Sequence, residues 1–228
     1  MQLRATAPGA SAPPVAPGTS VAPGGGLAES RDGAMARGPR ISVDTARIFG
    51  SISLLGGRID DVSLKAYRET VDPRSAHIVL LSPANSPKPY YADFGWVSAT
   101  GVATPTASTL WSADSTALTP DKPVTLRWDN GQGLMFSRVI SVDQNAMFTV
   151  KDSVENKGAT STSLLPYGLV ARHGKPVTLG FYVLHEGLIG VLGETGLQEY
   201  TYDSVDKEPL LSTTTRGRSW KDNSGGFV

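Results

Sequence analysis

Cysteine is absent from the 228 residues. That excludes disulfide staples, a thiolate nucleophile and a cysteine-built zinc site. Neither sign of charge is in excess, with 21 Lys plus Arg against 21 Asp plus Glu. No basic cluster stands out, so a nucleic-acid footprint is not expected. Long apolar runs are missing. Leu188 to Leu192 is among the longest, far short of the roughly 20 residues that cross a bilayer as a helix. Met1-Gln2-Leu3-Arg4 leads into Pro and Gly rather than an apolar stretch, so no cleavable signal is read there, as expected of a piece of a longer chain. Histidine is scarce: His77, His173 and His185 show neither i, i+4 nor His-x-His spacing. No metal or cofactor is expected from them.

Aromatic residues are also missing from the first forty positions, where Pro, Gly, Ala, Ser and Thr dominate. Such a composition buries too little to offset its ordering entropy. Residues 1–39 are therefore expected to be a linker, and 40–228 a single folded domain. A domain of that size buries roughly 70% of its unfolded surface and needs no staples.

What is present is a period of two. Between Val124 and Asn156, apolar residues recur at alternate positions: Val124, Leu126, Trp128; Leu134, Phe136, Ile140, Val142; Phe148, Val150, Val154. This is the mark of strands buried on one face. Turn chemistry interrupts it at Asp129-Asn130-Gly131-Gln132-Gly133 and at Asp143-Gln144-Asn145-Ala146. Placing Val142 opposite Phe148 sets Ile140 against Val150, Arg138 against Asp152 and Phe136 against Val154. A one-residue slip would scatter the apolar set. On the other side, Trp128 is placed against Leu134 and Leu126 against Phe136. The result is an antiparallel three-strand meander whose inner face carries one pair of charges, Arg138 and Asp152, expected to be bonded to each other.

Further strands are read at Arg40–Asp44, Ile48–Leu54, Ile59–Lys65, Val177–Val183, Leu188–Leu192 and Gln198–Tyr202. Ile78-Val79-Leu80-Leu81 is an unbroken apolar run, expected to be central and buried on both faces. Ala66 to Asp72 reads as a helical turn or a loop. Asp60-Asp61 reads as a solvated strand edge, Ala99 to Pro120 as strand fragments and loop, and Trp220 as the anchor of a last strand. The Pro-rich loop Ser82–Trp96 ends in Tyr90, Tyr91, Phe94 and Trp96. Such rings either pin a loop to the core or form a stacking platform for a sugar or an extended peptide.

Several of these stretches, in order, resemble one family. Arg58-Ile59-Asp60-Asp61, Lys65-Ala66-Tyr67-Arg68-Glu69-Thr70, Leu80-Leu81-Ser82-Pro83, Pro89 to Trp96, His185 to Leu192 and Gly225-Gly226-Phe227-Val228 are similar to the YidC-type membrane protein insertases of Gram-negative bacteria. The likeness is to their periplasmic domain, between the first two transmembrane helices. It implies an all-β fold, a large antiparallel β-supersandwich like that of galactose mutarotase, with few short helices. It implies a non-catalytic part of a multi-pass inner-membrane protein, on the periplasmic side. The implied partners are the Sec translocon with its accessory proteins, met through a sheet edge, and nascent inner-membrane proteins. The residues alone establish only an all-β sandwich or barrel.

A sugar-active domain, mutarotase-like or lectin-like, is the alternative. It needs a carboxylate and a histidine converging in an aromatic-lined pocket. His173 or His185 with Glu194 or Glu199 would fill those roles, and Tyr90, Tyr91, Trp96, His173 and His185 are the candidate cleft residues. Ser204-x-x-Lys207 has hydrolase spacing but no companion motif. Gly187, Gly190 and Gly193 lack a strand-to-helix context for a dinucleotide loop and suit turns or bulges.

Overall fold

The computed structural model describes residues 29–98, 100–177, 185–191 and 196–207. They form two compact units that divide after His173, where the sequence reading has one domain. In the first unit, a short helix α1 (Arg31–Met35) precedes eleven strands. These are β1 (Arg40–Asp44), β2 (Ile48–Ser53), β3 (Ile59–Arg68), β4 (His77–Leu81), β5 (Tyr90–Ser98), β6 (Ser112–Ala113), β7 (Ala117–Leu118), β8 (Val124–Asp129), β9 (Leu134–Val142), β10 (Phe148–Asn156) and β11 (Leu164–Arg172). The expected strands at Arg40–Asp44 and Ile48–Leu54 match β1 and β2 to within a residue. Helix α1 falls inside the stretch read as linker.

One sheet runs β11-β5-β3-β2-β1-β7 with β4 also on β3; the other runs β10-β9-β8-β6. Every named pairing is antiparallel except β1 with β7. A shared core joins the two sheets: Ile41, Val43, Ile52, Ile59, Val62 and Trp96 from the first, and Val124, Leu126, Leu134, Phe136, Ile140 and Val142 from the second. This is a two-layer all-β sandwich. Burial in β9 alternates without a break from Leu134 to Val142, the pattern of a strand with one face inward.

The β9–β10 register is Val142 to Phe148, Ile140 to Val150, Arg138 to Asp152 and Phe136 to Val154, as expected. The β8–β9 register differs by two residues: Trp128 faces Phe136, and Leu126 faces Arg138. The turn is tighter than expected. Gly131 and Gly133 adopt φ of 69° and 91°, a region glycine enters without steric cost. The Asn130 side-chain oxygen accepts from the amides of Gln132 and Leu134 at 2.8 and 3.0 Å. Only three residues then separate Asn130 from Leu134. A shift of two keeps parity, so the inner face is unchanged.

Three other expectations are corrected. Ile78, Val79 and Leu80 are 36%, 41% and 45% exposed. Strand β4 pairs with β3 alone, through an irregular ladder, while β5 meets β3 only at Ile59 and Ala92. An unbroken apolar run does not specify strand order, and here the order leaves it outside. Asp60 and Asp61 are buried, not solvated. The β2–β3 register shifts between Ser51 and Ile52, which makes Asp60 an extra residue, and a bulge of this kind re-aims side chains. Ala66 to Arg68 continue β3 rather than starting a helical turn.

The second unit contains a hairpin of β12 (Gly187–Val191) and β13 (Leu197–Thr201), followed by helix α2 (Tyr202–Lys207). Tyr202 thus opens a helix instead of ending the strand read at Gln198–Tyr202. The expected strand at Val177–Val183 and the Trp220 anchor lie outside the described residues, except for Val177 itself, which is in no strand.

Candidate functional site

Arg138 lies at the middle of the sandwich, fully buried. Its Nε and Nη2 donate to the two carboxylate oxygens of Asp152 at 2.8 and 3.1 Å. Nη1 donates to the Gly57 carbonyl at 3.0 Å, and Nη2 to the Phe94 carbonyl at 2.7 Å. The guanidinium carbon stands 5.2 Å from the Trp111 ring centre, 5.5 Å from Phe94 and 5.7 Å from Trp96. A buried cation needs partners for its donors, and aromatic faces suit its remaining surface. Asp152 and Arg138 belong to the four-stranded sheet, while Phe94 belongs to the seven-stranded sheet. One side chain therefore ties the layers together. Gly57 admits it: φ there is +65°, and an added Cβ would lie 3.0 Å from Arg138 Nη1 and 3.1 Å from Trp111 Nε1.

The opposite face of the seven-stranded sheet carries charge. Parity puts Tyr91 and Asp93 on the side away from Phe94 and Trp96. Arg58 donates to Asp93 Oδ2 through Nε and Nη2 at 3.0 and 2.9 Å, and its guanidinium lies 4.9 Å over the Tyr91 ring. Further along, Arg40 is bonded to Asp60 and to Ser51 Oγ at 2.7 Å. Ser51 Oγ donates to Asp61 Oδ2 at 2.6 Å, and Arg31 of α1 is bonded to Asp61. Burial raises the Asp60 carboxyl above its ordinary range, with Arg40 pulling the other way. Tyr167 sits across from Gly95 in the β5–β11 ladder. Burial first, and then the Asp93 carboxylate, push its phenol above the usual value.

The model of the YidC periplasmic domain matches residues 40–225. The chain belongs to the YidC periplasmic domain family. It is 58% identical over 224 residues to a protein of Methylobacterium nodulans named membrane protein insertase YidC, covering 96% of this chain and 37% of that protein. A protein of the same name from Methylorubrum extorquens is 57% identical over 200 residues, covering 87% of this chain and 32% of the relative. That of Cereibacter sphaeroides is 49% identical over 216 residues, covering 92% and 33%. The chain spans about a third of the length of the curated relatives it matches.

Within the first unit the four cleft candidates, Tyr90, Tyr91, Trp96 and His173, do not form one platform. Tyr91 and His173 come together, while Tyr90, one residue earlier on β5, faces the other side of the sheet. His173 donates its amide to the Pro89 carbonyl at 2.9 Å, and its ring lies 5.9 Å from that of Tyr91. Tyr90 stacks under Arg172, its β11 partner, at 4.9 Å. Tyr91 is buried at 6% exposure, so its face is not free for a ligand. Trp96 points into the core, 5.0 Å from Phe136. The aromatic stretch is not a loop from Tyr90 onward but strand β5, and strand parity sends Tyr91 and Trp96 to opposite faces. His185 is an exposed residue of the second unit. Glu194 lies outside the described residues, and Glu199 is on β13. Ser204 lies in α2, where its hydroxyl bonds Thr201 at 2.6 Å. Sequence reasoning missed Arg58, Asp93, Tyr167 and the Arg31–Asp61 contact. Asp93 was legible as a polar residue of opposite parity to Phe94, but its partner 35 residues away was not.

Among the described residues no helix is long and apolar enough to cross a membrane, and no group of His, Cys, Asp and Glu has the makings of a metal site.

Proposed function

We propose that this chain is a non-catalytic docking domain on the periplasmic side of the bacterial inner membrane, part of an insertase that inserts and folds inner-membrane proteins. Membership of the YidC periplasmic domain family carries this reading; the relatives' name, membrane protein insertase, supplies the activity of the whole. The partners are Sec components and nascent membrane proteins. A sandwich offers such partners its edges, where backbone groups await a further strand. Strands β10 and β11, nine residues each, end their sheets among the described residues.

The arrangement at the one described histidine of the β5–β11 end favours docking over sugar chemistry. The His173 ring lies beside the Tyr91 ring, and the carboxylate beside Tyr91, Asp93, is already held by Arg58. Photo-crosslinkers placed at Lys151 of β10 and Leu165 of β11 in the full-length insertase test the proposal. Adducts to Sec subunits or to nascent chains from either strand are expected. Crosslinks to neither, together with aldose mutarotation that vanishes on changing His173, would replace it with the sugar-active alternative.

A further inference from the structure

The segment from Glu29 to Gly38 crosses the charged face of the seven-stranded sheet, and the hydrogen bonds that hold it there are few. At one end the Glu29 amide donates to the Asn85 carbonyl at 3.2 Å. At the other, the Pro39 carbonyl accepts from the Leu54 amide at 2.9 Å. Between them, Arg31 reaches down to Asp61, and Ala34 is the only hydrophobic residue of α1 that is buried. The remaining bonds are internal. Ser30 caps the helix by accepting from the Gly33 amide at 3.1 Å, and Arg37 pairs with Glu29 at 2.7 Å, neither of which touches the sheet. A helix of five residues is far too short to persist unaided.

The one ion pair that joins segment to sheet is imperfect. Asp61 is 7% exposed and accepts from both Ser51 and Arg31. Arg31 enters this site with its Nη2 bonded, while its Nε is buried without an acceptor. A buried donor left unpaired offsets part of what the ion pair contributes. Segments with little apolar burial open at lower free energy than the strands beneath them.

We propose that residues 29–38 are a latch, closed by Arg31 on Asp61 and able to open while the sandwich stays folded. Closed, it fixes the exit of the preceding Pro-, Gly- and Ala-rich sequence beside Asn85. Open, it releases ten more residues, adding up to about 35 Å of reach at roughly 3.5 Å per extended residue. The reach of the domain on its leading segment is thereby set by a single ion pair.

Hydrogen exchange of the 228-residue chain tests this at the Ala34 and Ala36 amides, which bond the Ser30 and Asp32 carbonyls at 2.9 and 3.0 Å. Both are expected to exchange at least tenfold faster than strand amides of β2 and β3. Arg31→Gln is expected to speed them about tenfold more, with strand exchange and the thermal midpoint unchanged. Arg37→Gln, which loses only an internal contact, should alter them less than threefold. Asp61→Asn repeats the test from the sheet side; if that variant fails to fold, Arg31→Gln decides alone. Exchange of the Ala34 and Ala36 amides at the strand rate would overturn the latch. So would an effect of Arg37→Gln equal to that of Arg31→Gln, or no effect of Arg31→Gln.

Discussion

Replacing Arg138 by methionine tests whether one guanidinium ties the two sheets together. Methionine keeps much of the volume and flexibility but has no donors. Four hydrogen bonds are lost, and Asp152 and the Gly57 and Phe94 carbonyls lose a partner each. Breaking a buried pair by removing one member costs about 3–5 kcal/mol. An orphaned buried carbonyl adds about 1–3 kcal/mol, though these losses overlap. Asp152 keeps 14% of its side chain exposed, so water relieves part of the cost. A net loss of about 4 kcal/mol follows, a large share of a typical 5–15 kcal/mol. With a urea slope of about 2 kcal/mol/M, the midpoint falls by about 2 M. Urea unfolding followed by circular dichroism and by tryptophan fluorescence measures it, and Trp96 and Trp111 flank the substituted position. The double variant Arg138→Met with Asp152→Leu removes the stranded carboxylate but not the stranded carbonyls. It should recover part of the loss and still fall about 2 kcal/mol short of the parent. A single variant within about 1 kcal/mol of the parent would refute the tie. A double variant as stable as the parent would show that the two carbonyls do not depend on Arg138.

Gly57→Ala should cost about 2 kcal/mol, because an L-residue is strained at positive φ and its Cβ would press on Arg138 Nη1; thermal unfolding checks it. Asp60 carries a carboxyl raised by burial, so its folded form binds a proton more readily than its unfolded form. Stability from it is present at pH below the ordinary carboxyl value and is lost as pH rises through the raised one. Asp60→Asn should therefore compare less unfavourably with the parent at pH 7 than at pH 3, in paired urea titrations. Tyr167 has the same sign at alkaline pH. Its phenol, raised by burial and by Asp93, stabilises the fold below the ordinary tyrosine value, and that contribution disappears as pH climbs through the raised value. Ultraviolet titration should show a late-ionising component that is missing in Tyr167→Phe.

Much of the fold is legible locally. The alternation from Val124 to Val154 specifies three strands, their inner faces and the β9–β10 register, because strand side chains repeat every two residues and a one-residue slip is costly. The pairing of Arg138 with Asp152 follows from the same parity. The β8–β9 register does not, because a shift of two leaves parity intact and only the turn distinguishes the options. There the φ values of Gly131 and Gly133 decide.

The candidate site is less legible, since its partners are distant in sequence. Tyr90, Tyr91 and Trp96 are conspicuous together, yet their neighbours come from β9, the residue after β11 and the residue before β3: Phe136 beside Trp96, His173 beside Tyr91 and Arg58 above it. Residue type and period are carried by the chain itself, so sequence alone determined an all-β chain with a buried charge pair in its meander. Strand order and long-range pairing depend on which surfaces meet after collapse. Tertiary structure alone therefore placed Ile78–Leu80 outside, drew Asp60 and Asp61 under the arginines of β1 and α1, and gave Arg138 one carbonyl from the opposite sheet and one from the turn between β2 and β3. Each of those outcomes balances desolvation against partners that lie tens of residues away, and no local pattern encodes that balance.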